Sequence, residues 1–194
     1  MNFSKSDKSK IGNALIYAIN HCSTPVSKTK LLKLVYLMEE TMARVYHAPF
    51  LSLPYEVWQY GAVQKDLYAE LSDGCLSILR DYVGVGKDGN FIAKQDFDDE
   101  EFSDEELEMM KSVMDKYGDK TANHLVNLLH KKGSLWYKTA ERNGVLNSFK
   151  DGLATTSPYL IDLTEGMDDC QRQDYLQCRE IRQTASELRS KANV

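Results

Sequence analysis

The broadest run of apolar positions in the chain lies between Lys28 and His47. Leu31, Val35, Met38, Met42 and Val45 recur in steps of three and four, and Leu34, Leu37 and Tyr46 widen the stripe. Such spacing puts these side chains on one broad face of an α-helix that needs packing partners on more than one side. Ser27 stands where its hydroxyl can accept from the free amides of the first turn. Lys30, Lys33, Glu40 and Arg44 gather on the narrow remaining face. The pattern predicts a central buried helix.

Other segments order themselves around it. Lys10–Cys22 reads as a helix through Ile11, Leu15 and Ile19, and Pro25 separates it from the central one. Pro49 and Pro54 hold the following segment out of helix, and Pro54–Gly61 alternates as an extended stretch. Ala62–Leu71 resumes helical spacing. Between about 78 and 95, two runs of strand formers flank Lys87-Asp88-Gly89, which predicts a hairpin lying against the helices. Ser103 and Glu106 form a capping box for a helix that runs to Tyr117-Gly118. Thr121–Lys132 follows as a helix, and Ser134 caps a short one carrying Trp136 and Tyr137. Asn147–Pro158 reads as a turn-rich connection, Tyr159–Leu163 as a short strand, and Asp168–Lys191 as a last helix. Tyr175, Cys178, Ile181, Ala185 and Leu188 form its narrow stripe, suited to docking on the body or on a partner.

The fold class expected is therefore mostly α, a compact helical domain around a central buried helix with a small β-hairpin. A domain over 1–144 would be followed by an extension over 145–194 packed on the same body. With 194 residues, 42% hydrophobic and 27% charged, the chain is an ordinary folded sequence with one core.

Charge and candidate chemistry narrow the function classes. A formal net charge of −5 argues against a protein-wide nucleic-acid footprint, although the N-terminal part is lysine-rich. The run Asp96–Glu108 is dense in carboxylates, but it lacks the alternation and central glycine of a calcium loop and fits helix capping better. Cys22, Cys75, Cys170 and Cys178 form no paired framework and read as small core residues of a cytoplasmic protein. The first residues carry no apolar signal core, and no run reaches membrane-spanning length. No glycine-rich phosphate loop, H-E-x-x-H or nucleophile-elbow pattern occurs, so no cofactor, metal or catalytic residue is expected.

Trp58 and Trp136 are more informative, because both sit at junctions between elements. Each reads first as a core anchor whose indole N–H finds one partner, and second as an aromatic hot spot on a binding surface. Around them, three pieces in order resemble the Panacea-domain family, the SocA-like and GepA-like antitoxins of toxin–antitoxin loci and phages. Lys30-Leu31-Leu32-Lys33-Leu34-Val35-Tyr36 is similar to the family's K-L-x-K-L-x-Y helix. Glu56-Val57-Trp58-Gln59-Tyr60-Gly61-Ala62-Val63, with Pro49-Phe50 before it and Tyr68 beyond, resembles its E-A-W-x-Y-G-P-V segment. Leu125–His130 with Gly133-Ser134 and Trp136 resembles L-x-x-L-x-H-x-x-G-S-P-W. Ala62 and Leu135 replace prolines of that pattern, and Lys131-Lys132 stand where acidic residues are common.

The resemblance implies a helical domain with a small β element and a non-enzymatic antitoxin role. The implied partner is a cognate toxin protein, encoded by an adjacent gene. Delivery of that toxin to a cellular protease is the first alternative and a His130-dependent enzyme the second. Lys30, Lys33, Tyr36, Trp58, Tyr60, Gly61, Tyr68, His130 and Trp136 are the motif residues, which define either the fold or the contact surface.

Overall fold

The computed structural model describes residues 5–72 and 77–192. Among them, eight helices and two antiparallel two-stranded hairpins build a mostly α domain. Helix α1 (Lys5–Asn20) is followed by α2 (Lys28–Tyr46), then by the hairpin of β1 (Glu56–Trp58) and β2 (Gly61–Val63) and by α3 (Lys65–Glu70). A second hairpin pairs β3 (Val83–Val85) with β4 (Phe91–Ala93). The remaining helices are α4 (Asp104–Tyr117), α5 (Ala122–Leu129), α6 (Leu135–Arg142), α7 (Val145–Lys150) and α8 (Asp169–Ala192).

Helix α2 is the axis. It packs on α1, α3, α4, α5 and β2, and Leu31, Leu34, Val35, Tyr36 and Met38 are all fully buried on it. Each such apolar side chain contributes about 1.5–3 kcal/mol on removal from water. Ser27 caps its start by accepting from the Lys30 amide at 3.3 Å. His47 stops it in the left-handed conformation, at φ 50°.

The narrow polar face of α2 is not a solvent face. Lys30 and Lys33 are each 1% exposed and Glu40 is 9% exposed, whereas Val45, placed in the apolar stripe, is 61% exposed. Periodicity assigns these residues by type, but from Lys30 to Glu40 the helix is covered on every side, and distant carbonyls receive the amines. Lys30 Nζ donates to Thr24 Oγ1 at 2.6 Å and to the Gly118 carbonyl at 2.8 Å, tying the α1–α2 connection to the end of α4.

Two buried carboxylates organise the rest. Glu39 accepts from the backbone amides of Phe50 (2.8 Å) and Leu51 (2.9 Å), and so shapes the loop after α2. Glu106 completes the capping box of α4 and also receives Lys10 Nζ at 2.7–2.8 Å and the guanidinium of Arg182. One side chain therefore ties α1, α4 and α8 together. Gly118 ends α4 in right-handed conformation, so its role is space: a Cβ there would lie 2.7 Å from the His21 and Met114 carbonyl oxygens.

Other expectations change. The stretch around Gly61 is itself a hairpin, and Val145–Lys150 is a helix although Asn147 and Ser148 read as turn. Within the extension, residues 155–161 run along β1: Val57 N donates to the Tyr159 carbonyl, Gln59 N to that of Thr155 and Ile161 N to that of Tyr55. On α8, Tyr175 is buried, but Ile181 and Leu188 are 60% and 63% exposed, so only half of the stripe docks. Cys170 is exposed and Cys22 and Cys178 are half-buried, which corrects their reading as core residues. Cys75 and the side chains of Arg189 and Lys191 lie outside the described residues.

Candidate functional site

The β1–β2 hairpin pairs Trp58 with Gly61 and leaves Gln59 and Tyr60 as its two-residue loop. Neither loop residue has positive φ; the left-handed step falls on Gly61, at φ +100°. Glycine is needed there twice over. L side chains rarely adopt that backbone, and a Cβ would lie 2.9 Å from Lys33 Cε and 3.2 Å from Leu129 Cδ1.

Four separate elements brace this turn from below. From α2, Lys33 Nζ donates to the Ala62 carbonyl at 2.6 Å. From α6, Trp136 Nε1 donates to the Trp58 carbonyl at 3.0 Å. From α7, the Phe149 carbonyl accepts Gln59 Nε2 at 2.9 Å, and beyond it the Thr155 carbonyl accepts Gln59 N at 2.9 Å. Beneath Trp136 lies the ring of His130, stacked at 3.9 Å. Ser134 makes that stack possible, since it caps α6 by accepting from Tyr137 N and donates its hydroxyl to the Leu129 carbonyl.

The upper side is aromatic. Trp58, half-buried, donates Nε1 to Glu56 Oε2 at 2.8 Å and meets the ring of Tyr68 edge-on at 5.0 Å. Lys28 Nζ lies 4.2 Å from the centre of the Tyr68 ring, a cation–π contact. At the apex Tyr60 is 64% exposed.

Burial controls protonation in this site. With a single carbonyl partner and no counter-charge, Lys33 has its pKa lowered to about 7 by desolvation. His130 is held below the ordinary imidazole value, first by its own burial and then by the charge of Lys33. Its Nε2 is buried and has no hydrogen-bond partner among the described residues. Among the described residues, no group of three or more His, Cys, Asp or Glu is placed to hold a metal ion.

Seven of the nine motif residues thus meet at one turn: Lys33, Trp58, Tyr60, Gly61, Tyr68, His130 and Trp136. Lys30 and Tyr36 do not. Lys30, about one turn before Lys33, reaches Thr24 and Gly118 instead, and Tyr36 is fully buried with its ring edge-on to Tyr55 at 5.1 Å. Sequence reasoning missed Gln59, Phe149 and Thr155 as partners of the turn. An isolated aromatic in the polar stretch after Asn147 was the available signal for Phe149. A cavity of about 770 Å³ lies elsewhere, between α1, the loop at 50–55 and α8, and none of these nine residues lines it.

A family model described as antitoxin SocA-like, Panacea domain, matches residues 31–137, more than half of the chain. The chain belongs to that family. No curated protein and no solved structure matches it. The Panacea match begins inside α2 and ends inside α6, so it contains all the bracing residues except those of α7 and the segment after it. The family carries an antitoxin description, which gives this Panacea chain a general antitoxin assignment and a toxin as its general kind of partner. Among the described residues no helix is long and apolar enough to cross a membrane.

Proposed function

We propose that this chain is a non-enzymatic antitoxin of the cytoplasm that neutralises the product of an adjacent gene by binding it directly, with the face around Tyr60 as the contact surface. One observation carries the reading. A large aromatic side chain is left 64% exposed at the apex of a turn that Lys33, Trp136 and Gln59 hold rigid. Exposed tyrosine on a braced backbone loses little conformational entropy on binding, which is why Tyr and Trp dominate interface hot spots. Motif residues beneath the turn then have a structural task, and Tyr60, with the half-buried Trp58 and Tyr68, a contacting one.

The test is growth of cells expressing the neighbouring open reading frame, with and without this chain. Toxicity relieved by the wild type but not by Tyr60→Ala supports the reading. Toxicity unaffected by the wild type refutes it.

Delivery to a protease is a second reading. It is favoured by α8, whose Leu176, Ile181 and Leu188 are 42%, 60% and 63% exposed while Tyr175 anchors the helix to the body. In that reading the toxin disappears only in cells that hold the protease, and truncation of α8 stabilises the toxin without abolishing its binding.

A further inference from the structure

Five exposed or half-buried lysines lie on the segments that flank or hold the Tyr60 turn. Lys131 and Lys132 follow His130 directly, whose ring stacks on the Trp136 that holds the turn, and both are exposed. Lys65 opens α3 two residues after β2 and is exposed as well. Lys28 lies over the Tyr68 ring, and Lys150 follows the Phe149 whose carbonyl holds Gln59. The salt bridges of the structure pair lysines elsewhere, such as Lys10 with Glu106, Lys111 with Asp115 and Lys138 with Glu165; among the described residues none of these five lysines takes part in one.

Among the described residues the same segments carry three carboxylates, two of them engaged. Glu56 accepts the Trp58 indole, Asp66 accepts the Gln64 amide, and Asp151 is exposed beside Lys150. In a chain of formal net charge −5, these described segments carry five lysines against three carboxylates. Close by, Leu153 is 79% exposed, on the loop whose Thr155 holds Gln59. Exposed Tyr60 and Leu153 on segments that also carry these lysines complement an apolar anchor accompanied by anionic groups.

We infer that the surface covering the Tyr60 turn belongs to an acidic partner: a protein segment with Asp and Glu arranged around an apolar or aromatic anchor. This inference rests on the antitoxin reading for the partner's identity, but the chemistry of the face stands apart from it. Lysines on a rim act chiefly on encounter, raising the association rate and making it sensitive to salt. A protein partner is favoured over nucleic acid because exposed apolar side chains accompany the lysines and the whole chain is acidic.

The experiment measures association rate and affinity of the full chain with the toxin at low and high salt, for wild type, Lys65→Glu and the double variant Lys131→Glu/Lys132→Glu. These residues are exposed, so the melting temperatures should match. Expected are a loss of about tenfold or more in affinity for the double variant, mostly in the association rate, and slower association at high salt. Unchanged or tighter binding overturns the inference and leaves the antitoxin reading standing. If wild type binds no toxin at all, the antitoxin reading falls by itself and a second measurement decides the surface. That measurement is amide chemical-shift titration with a short peptide of alternating glutamate and tryptophan, and separately with mixed-sequence single-stranded DNA. Shifts at Tyr60, Lys65, Lys131 and Lys132 with the peptide support an acidic protein partner. A stronger response to DNA, or none to either probe, overturns it.

Discussion

Trp136 donates its indole N–H to the backbone carbonyl of Trp58 at 3.0 Å, a bond between residues 78 positions apart. It joins α6 to the turn that presents Tyr60. Trp136 is 3% exposed, so the bond is made by a buried indole. Replacing Trp136 by Phe keeps most of the stack on His130 but removes the donor. Stability should fall by about 0.5–1.5 kcal/mol, the net contribution of one hydrogen bond. Urea unfolding measures it, and a variant as stable as wild type would show that the bond holds nothing.

Lys33 makes stability depend on pH in a definite direction. Its folded pKa of about 7 lies below the ordinary value of 10.5, so between those limits the unfolded chain binds the extra proton. Stability is therefore fully present above pH 10.5 and is lost as pH falls towards 7, with a slope of about 1 kcal/mol per pH unit. Lys33→Met loses the bond to Ala62 but also the titration. The urea midpoint of the variant should change less between pH 7 and about 9 than that of wild type. Parallel profiles would mean that the amine is solvated.

Much of this architecture can be read from the sequence, and the failures have physical causes. The α2 stripe from Leu31 to Met42, the Ser103–Glu106 box and the Ser134 cap are local patterns, and all three form where spacing puts them. The buried state of Lys30 and Lys33 is not local, since it depends on the Gly118 and Ala62 carbonyls brought in by tertiary structure. The β1–β2 hairpin was hidden because Gln59-Tyr60 is not a typical hairpin pair. Its left-handed step comes after the loop, at Gly61. Helix α7 was hidden because Asn147 and Ser148 have turn preferences that packing of Phe149, 5% exposed, overrides. For the site, the motif residues were legible as a set, but only the structure separates the buried braces from the exposed Tyr60.

Glu106 should be the residue whose loss loosens α8. Its carboxylate is 1% exposed and holds Lys10 from α1 and Arg182 from α8. Glu106→Ala removes the capping box and leaves two cations without their partner, at a cost of about 3–5 kcal/mol. Limited proteolysis should then cut within α8 faster than in wild type. Equal protection of α8 in both proteins would show that Tyr175 and its neighbours dock the helix without the ion pairs.

The most direct test of the account is the affinity of purified Tyr60→Ala for the toxin, measured by calorimetry beside its melting temperature. Tyr60 is 64% exposed at the apex of its turn, so stability should stay within about 0.5 kcal/mol of wild type. Binding should weaken by about 30-fold or more, the loss expected for a hot-spot residue. A variant that binds the toxin as tightly as wild type would contradict the claim that this turn is built to present Tyr60 to a partner.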